Sequence, residues 1–146
     1  MKTAVFPGTF DPFTVGHANI VERALPLFDR IVIGVGVNDE KTPAEQAEER
    51  AAAIRKLYAG EPRISVVTYD DLTVDLCSRE GAAFILRGVR SMKDFEYERD
   101  VAALNKRLSG IETILLFSEE TLAHISSSAV RELLKYGKDV SEFLPQ

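Results

Sequence analysis

The sequence predicts a single α/β domain over residues 1–146, with a five-stranded parallel sheet and helices on both faces. Three observations support this fold class. Five short apolar runs recur along the chain. Segments with the apolar spacing of helices separate them. Gly, Pro and capping residues stand at the junctions between the two kinds of segment. A chain of 146 residues is long enough for one core and short for two.

The predicted strands follow the apolar runs, of which IVIGVGV is typical of a strand buried on both faces. In chain order they are Thr3–Phe6, Ile31–Val37, Ile64–Tyr69, Ala83–Leu86 and Glu112–Phe117.

The predicted helices alternate with these strands, as a Rossmann-like order requires. The first has Ile20, Val21 and Ala24 on one side, and the second opens with a capping box, Thr42-Pro43-Ala44-Glu45. Gly60, Gly110 and Gly137 mark three helix ends. The predicted spans are Gly16–Phe28, 42 to about 58, Leu72–Arg79, Asp94–Leu108 and Ser127–Tyr136, with a last turn at Val140–Phe143.

Composition and charge exclude several classes of protein. A formal net charge of −5 argues against a dedicated nucleic-acid binder, because no basic field would attract a phosphate backbone. The single cysteine, Cys77, excludes an intramolecular disulfide and is expected in the core. No apolar run approaches membrane-spanning length, and Met1-Lys2-Thr3 enters a strand directly, so a soluble cytoplasmic protein without membrane contact is expected.

The loop after the first strand carries the strongest functional signal. If Thr14 caps the following helix, Gly16 and His17 fall in its first turn. Helical side chains tilt toward the N-terminus, so the imidazole would lie over free N–H groups that favour anions. Thr9 adds a hydroxyl nearby, and the sequence therefore predicts a phosphate-binding site here. The alternative is a strand-to-helix turn in which His17 has no function.

Two later segments are predicted at the same sheet edge. Arg87 and Arg90 follow the fourth predicted strand, and the guanidinium fork suits phosphate; the alternative is an ion pair with Asp94. The run Ile125-Ser126-Ser127-Ser128 precedes the last main helix. One serine is needed as its cap, and the others are either spare anion-binding groups or part of a generous cap.

These motifs together resemble one protein family. Pro7-Gly8-Thr9-Phe10-Asp11-Pro12 with Thr14-x-Gly16-His17 resembles the nucleotidyltransferases with the (H/T)xGH signature, in the variant of the phosphopantetheine adenylyltransferases. The resemblance continues along nearly the whole chain, at Arg87-Gly88-Val89-Arg90, Asp94-Phe95-Glu96-Tyr97-Glu98, Asn105, the serine run and Phe143-Leu144-Pro145.

The resemblance implies roles for individual residues. Catalytic roles fall to Thr9, His17 and Lys41. The acceptor substrate would be held by Thr9, Lys41, Thr73, Arg87 and Asn105. ATP would be held by Thr9, Phe10, His17, Gly88, Val89, Arg90, Glu98, Leu122, Ala123, His124, Ile125, Ser126, Ser127 and Ser128. From the sequence pattern alone, Glu98 would be an acid on a helix surface.

The resemblance also implies a reaction and its partners. AMP would pass from ATP to 4′-phosphopantetheine, giving dephospho-coenzyme A and pyrophosphate, with Mg²⁺ shielding the phosphates and no dedicated metal site in the chain. A homohexamer with coenzyme A as feedback inhibitor is implied as well. Leu122 stands where relatives often have an aromatic residue, and the chain stops where they usually continue into a short helix.

Other interpretations are weaker. Gly34-Val35-Gly36 lies inside a strand and lacks the third glycine of a dinucleotide fingerprint, and Asp70-Asp71 is expected to form a turn. A cytidylyltransferase or nicotinamide-mononucleotide adenylyltransferase of the same fold would usually carry His in place of Thr14. A non-catalytic nucleotide sensor would not need Thr9, His17, Lys41 and Arg87 together.

Overall fold

Five parallel strands form the sheet in the computed structural model, which describes residues 1–37 and 44–146. The strands are β1 Thr3–Gly8, β2 Arg30–Gly36, β3 Ile64–Tyr69, β4 Phe84–Val89 and β5 Glu112–Phe117. Their order is β3-β2-β1-β4-β5, and every neighbouring pair is parallel. The predicted fold class is confirmed.

Five α-helices connect and flank the strands. They are α1 Val15–Ala24, α2 Ala44–Leu57, α3 Thr73–Glu80, α4 Met92–Ser109 and α5 Ser127–Lys135. Short 3-10 helices lie at Leu25–Leu27, Glu120–Leu122 and Ser141–Phe143. The predicted start of the second helix at Thr42 and Pro43, and the predicted site residue Lys41, lie outside the described residues.

Most predicted boundaries lie within two residues of those in the structure, and two that the structure describes differ by more. The helix predicted over Gly16–Phe28 ends as α-helix at Ala24, where a 3-10 turn with Pro26 follows, because proline has no N–H to continue the ladder. The fourth strand runs on to Val89, so Arg87 lies inside β4 and not after it. Pairing of Arg87 with Leu115 and of Gly88 with Leu116 on β5 extends the strand.

Apolar residues pack on both faces of the sheet, because side chains alternate along each strand. On one face Ala4 and Phe6 join a core that α1 and α2 cover. On the other face Val5 and Ile85 pack with Cys77 of α3. Cys77 is buried as predicted, and its burial raises the pKa of the thiol to about 11. No helix within residues 1–37 and 44–146 combines the length and apolar character that crossing a bilayer requires.

The strand order places a crevice at one edge of the sheet. The chain builds outward from β1 through β2 to β3, then returns to add β4 on the other side of β1. The loops after β1 and β4 therefore diverge to opposite faces, and the crevice between them is where α/β sheets bind ligands. The predicted site residues at the ends of these two strands are brought to this crevice.

Gly34 of β2 gives a test of the packing on the α3 face. A Cβ at this position would lie 2.6 Å from Cδ2 of Leu76 and 3.1 Å from the Tyr69 ring, so the glycine is required by close packing. We expect Gly34→Ala to lower the free energy of unfolding by about 1–3 kcal/mol through overpacking.

Gly36 of the same strand is the matched control. Its added Cβ would find its nearest neighbour, the Gly8 carbonyl oxygen, at 3.7 Å, an ordinary contact. We expect Gly36→Ala to change the stability by about 0.5 kcal/mol or less. Denaturant unfolding at one fixed protein concentration measures both variants, and equal losses would contradict the packing argument.

Candidate active site

A cavity of about 530 Å³ opens at the carboxyl ends of β1 and β4. Its walls come from the loop after β1, the first turn of α1, the end of β4, α4 and the segment that leads into α5. Predicted site residues that line it are Thr9, Phe10, His17, Arg87, Gly88, Arg90, Glu98, Leu122, Ile125, Ser126, Ser127 and Ser128. Segments far apart in sequence thus converge as the sequence analysis expected.

A second cavity of about 260 Å³ adjoins the first. Thr73 and Asn105 line it, and the hydroxyl of Thr73 is 2.9 Å from that of Tyr69. The two cavities share one wall, formed by Pro7, Gly8, Thr9, Arg87, Tyr97 and Glu98. The arrangement can hold two ligands whose ends meet at that wall.

Of the predicted site residues that the structure describes, three lie outside both linings. Val89 is buried in the protein interior, Ala123 is half-buried, and His124 is exposed. Their assigned contacts to ATP remain predictions.

The first turn of α1 is held by a reciprocal capping box. Thr14 is the N-cap as predicted, and its hydroxyl accepts the backbone N–H of His17 at 3.4 Å. The backbone N–H of Thr14 in turn donates to Nδ1 of His17 at 2.9 Å. Here an imidazole takes the place of the carboxylate that usually completes such a box. The predicted position of the ring over the helix start is confirmed.

This hydrogen bond fixes the tautomer of His17. Because Nδ1 accepts a proton donor, the neutral ring carries its own proton on Nε2. Burial, followed by the positive charges of Arg90 and Arg87, lowers the pKa of His17 to about 4. Without bound ligand, His17 is therefore a neutral hydrogen-bond donor at the cavity wall.

Three aromatic rings hold the imidazole in place. Phe13 stacks on it with centroids 5.3 Å apart, and Phe10 meets it edge-on at 5.0 Å. Phe6 lies at 6.3 Å. Sequence reasoning missed Phe6 and Phe13, although three phenylalanines in the eleven residues before a candidate histidine are a usable signal.

The backbone around Phe10 adopts an uncommon conformation. Its φ of 51° lies in the left-handed region, which is unfavourable for a bulky residue. The ring of Phe10 then packs on Gly8, where a Cβ would lie only 2.9 Å from it. Arg50 donates to the carbonyl of Thr9 at 2.9 Å, and Arg131 donates to that of Asp11 at 2.7 Å. These bonds secure the strained loop.

Arg87 and Glu98 form a paired fork beneath the shared wall. Nε and Nη2 of Arg87 donate to Oε2 and Oε1 of Glu98 at 2.8 and 2.6 Å, and Nη1 donates to the Pro7 carbonyl at 2.8 Å. Burial lowers the pKa of Arg87, the bonds to Glu98 raise it, and the net effect is a rise. Glu98 is only 5% exposed, so the expectation of a surface acid was wrong.

Arg90 and the serine run both line the cavity, and each also has the structural role that the sequence left as the alternative. Arg90 lines the cavity, and its Nε also lies 3.5 Å from Asp94. Ser126 caps α5 by accepting the Ala129 N–H at 3.1 Å, while Ser127 donates to the Pro12 carbonyl at 2.8 Å. The N–H groups of Ser127 and Ser128 stand in the first helical turn, where no helical carbonyl precedes them. Capping and cavity lining therefore coexist.

The lining residues that were not predicted as site residues include Asp94, Tyr97, Ser118 and Arg131. Arg131 lies three residues after Ser128 on α5, within reach of the same surface, and it donates to the Ser128 hydroxyl at 3.2 Å. Residues three positions apart on a helix share a face, so the serine run in the sequence could have pointed to Arg131.

The chain is similar to several known proteins. The sequence model of the cytidylyltransferase-like family matches residues 5–133. Phosphopantetheine adenylyltransferase of Bacteroides thetaiotaomicron is 53% identical over 146 residues, which is all of this chain and 97% of the relative. The protein of that name from Porphyromonas gingivalis is 53% identical over 143 residues, covering 98% of this chain and 94% of the relative.

Solved structures with low sequence identity share the fold. A bifunctional NMN adenylyltransferase/ADP ribose pyrophosphatase from Francisella tularensis superimposes with a TM-score of 0.73 at 14% identity. The match covers 98% of this chain and 44% of that one. A lipopolysaccharide core biosynthesis protein from Thermoplasma volcanium gives a TM-score of 0.58 at 19% identity, covering 82% of this chain and 97% of that one.

The charge and tautomer of His17 can be measured directly. We expect its imidazole to titrate near pH 4, because the neutral form is favoured in the folded chain, and to carry its proton on Nε2 above that pH. Nitrogen-15 NMR of the histidine side chains reports both. The chain has two histidines, so the spectrum of His17→Gln assigns the signals. Titration near the ordinary value of about 6.5, or a proton on Nδ1, would contradict the geometry described.

Proposed function

The chain belongs to the phosphopantetheine adenylyltransferases within the cytidylyltransferase-like family, and we infer from this membership that it is an enzyme of adenylyl transfer. It moves AMP from ATP to 4′-phosphopantetheine, giving dephospho-coenzyme A and pyrophosphate. We assign this reaction to the two adjoining cavities, because His17, Thr9 and Arg87 lie at or beside their common wall.

We place ATP in the larger cavity and the acceptor in the smaller one. The larger cavity contains the two helix starts, at Thr14 and Ser126, whose free N–H groups favour the anionic triphosphate. Arg90 and Arg131 add positive charge to it. The smaller cavity contains Thr73 and Asn105, which suit the polar groups of the acceptor arm. The acceptor phosphate and the α-phosphate of ATP then meet at the shared wall.

The reaction needs charge stabilisation more than proton transfer. An oxygen of the acceptor phosphate bonds to the α-phosphorus of ATP, the bond from that phosphorus to the bridging oxygen breaks, and pyrophosphate leaves. A phosphate nucleophile is already ionised at neutral pH, so no general base is required. The obstacle is repulsion between two anions, which positioning and preorganised donors overcome.

His17 is the proposed donor to the reacting phosphate. Its Nε2–H would bond an α-phosphate oxygen, while the bond from Thr14 N–H to Nδ1 keeps the ring from turning. The stacked Phe13 and edge-on Phe10 restrict the ring further. Because the ring is neutral before binding, it meets ATP as an uncharged donor through Nε2–H.

The remaining roles follow the family resemblance. Thr9, Lys41 and Arg87 would orient the acceptor phosphate, with Thr73 and Asn105 along its arm. Lys41 and Thr9 share the catalytic assignment with His17. The ATP contacts proposed for Phe10, Gly88, Val89, Arg90, Glu98 and residues 122–128 complete the site. Glu98 would act partly through Arg87, which its carboxylate holds in a fixed orientation.

Mg²⁺ is proposed to enter with the phosphates of ATP. Among the residues that the structure describes, no group of three or more His, Cys, Asp or Glu could hold a metal ion. The described residues do not fit a protein-held metal site, so phosphate oxygens and water would supply the ligands of the ion and no step is assigned to it.

A homohexamer is proposed from the resemblance and from exposed apolar side chains. α4 buries Glu98 yet exposes Met92, Leu104 and Leu108, and Phe117 is exposed at the end of edge strand β5. Apolar side chains on one such surface favour contact between copies of the chain. Feedback inhibition by coenzyme A and a cytoplasmic location are proposed on the resemblance alone.

Substitution of His17 tests the function and its main catalytic residue together. We expect the protein to release pyrophosphate from ATP and Mg²⁺ only with 4′-phosphopantetheine, and not with nicotinamide mononucleotide. His17→Ala should lower kcat about 10²–10³-fold, because one preorganised donor is lost, while ATP affinity measured by calorimetry stays within severalfold.

Arg79→Gln is the control for that assay, since Arg79 is half-exposed on α3 and paired with Asp71. It should leave kcat unchanged. A His17→Ala variant that loses ATP affinity but keeps its turnover would refute the catalytic role.

Assembly is tested by sedimentation. We expect equilibrium centrifugation to give a mass six times that of one chain. Leu108→Glu on the exposed side of α4 should lower that mass by placing a charge in an apolar contact. A monomeric wild-type protein at micromolar concentration would rule out the proposed hexamer.

A further inference from the structure

Thr113 presents a buried hydroxyl with no hydrogen-bond partner within residues 1–37 and 44–146. It is the second residue of edge strand β5, where the residue as a whole is half-buried and its hydroxyl oxygen is buried. Buried hydroxyls in folded proteins are nearly always paired, because leaving one unpaired costs free energy. The unpaired hydroxyl of Thr113 therefore points to a hydrogen-bond partner supplied by a bound ligand.

Thr113 is one of the residues that line the smaller cavity, and its hydroxyl lies just behind the cavity surface. Thr113 is in register with Ile85 on β4, and Arg87 is in register with Leu115, two residues nearer the carboxyl edge. Strands rise about 3.3 Å per residue, so Thr113 lies roughly 7 Å deeper than Arg87 along the sheet. Side chains at matched positions and at every second residue share a face, which places Thr113, Ile85 and Arg87 on the side covered by α3 and α4.

The two ends of the smaller cavity therefore carry different polar groups. At the carboxyl edge, Thr9 supplies a hydroxyl and the Arg87–Glu98 fork supplies charged groups. At depth, beneath Val101 and Ala102 of α4, the polar group that lacks a partner is the Thr113 hydroxyl. A ligand that fits has a phosphate at one end and an uncharged polar group several ångströms along its chain.

We propose that Thr113 is a specificity-determining residue whose hydroxyl hydrogen-bonds an amide of the acceptor arm. This inference rests on the proposed function, because 4′-phosphopantetheine carries amides in the chain that extends from its phosphate. No bond is made or broken at Thr113. The residue recognises the arm and leaves the reacting phosphates to His17 and Arg87.

Two matched pairs of variants separate the hydroxyl from the side-chain volume. Thr113 and Thr113→Val have nearly the same shape, and Thr113→Ser and Thr113→Ala differ in the hydroxyl alone. Loss of the hydroxyl should raise KM for 4′-phosphopantetheine about tenfold within each pair, with kcat and KM for ATP unchanged. If Thr113→Val does not fold, the comparison of Thr113→Ser with Thr113→Ala still measures the effect of the hydroxyl.

Thermal unfolding distinguishes recognition of the ligand from a structural role of the Thr113 hydroxyl, because loss of a structural hydrogen bond would lower the unfolding midpoint. In the ligand-free protein, Thr113→Val should have a midpoint equal to or above that of wild type, because valine removes an unpaired buried hydroxyl. Propyl phosphate, which has no amide, should inhibit wild type and Thr113→Val with the same constant. These results together would locate the lost contact on the arm.

Several outcomes would overturn the inference. They are an unchanged KM for 4′-phosphopantetheine in both hydroxyl-free variants, an equal rise in KM for ATP, or a fall in the unfolding midpoint matching the loss of affinity. If wild type releases no pyrophosphate, the proposed function fails. Calorimetric binding of 4′-phosphopantetheine to the same variants then still decides the role of Thr113.

Discussion

The hydrogen bond from the Thr14 backbone N–H to Nδ1 of His17 links the fold to the chemistry. For the fold, it satisfies the amide of the capping residue at the start of α1. For the chemistry, it sets the tautomer and the direction of the imidazole, while burial and the charges of Arg90 and Arg87 keep the ring neutral. A single interaction thus explains why a residue with modest helix propensity stands in the first helical turn. The three phenylalanines and the bonds to the 9–12 loop support that interaction.

The parallel sheet supplies the second constraint, since it brings β1 and β4 side by side with their loops diverging. The fork between Arg87 and Glu98 then ties β4 to α4, and its third donor reaches Pro7 of β1. A buried charge pair of this kind is weak evidence for stability, because desolvation offsets much of the attraction. Its evident effect is orientation: the guanidinium cannot swing away from the wall between the two cavities.

Local patterns made most of the fold predictable. Thr14 and Ser126 were identifiable as caps, and Gly110 and Gly137 end helices with φ of 78° and 74°, values that favour glycine. Features set by contacts distant in sequence were not predictable. The extension of β4 depends on pairing with β5, and the burial of Glu98 depends on where Arg87 points. The convergence of the site was predicted, whereas the division into two cavities required the packing of α4 on the sheet.

The wall shared by the two cavities has a consequence for the end of the reaction cycle. In the arrangement proposed above, dephospho-coenzyme A joins the acceptor to the AMP part of ATP in one molecule, so each half would tether the other at a high effective concentration. A half that detached would rebind before the other half left. The tether would therefore oppose escape of this product, and the same two cavities would hold it for cleavage by pyrophosphate.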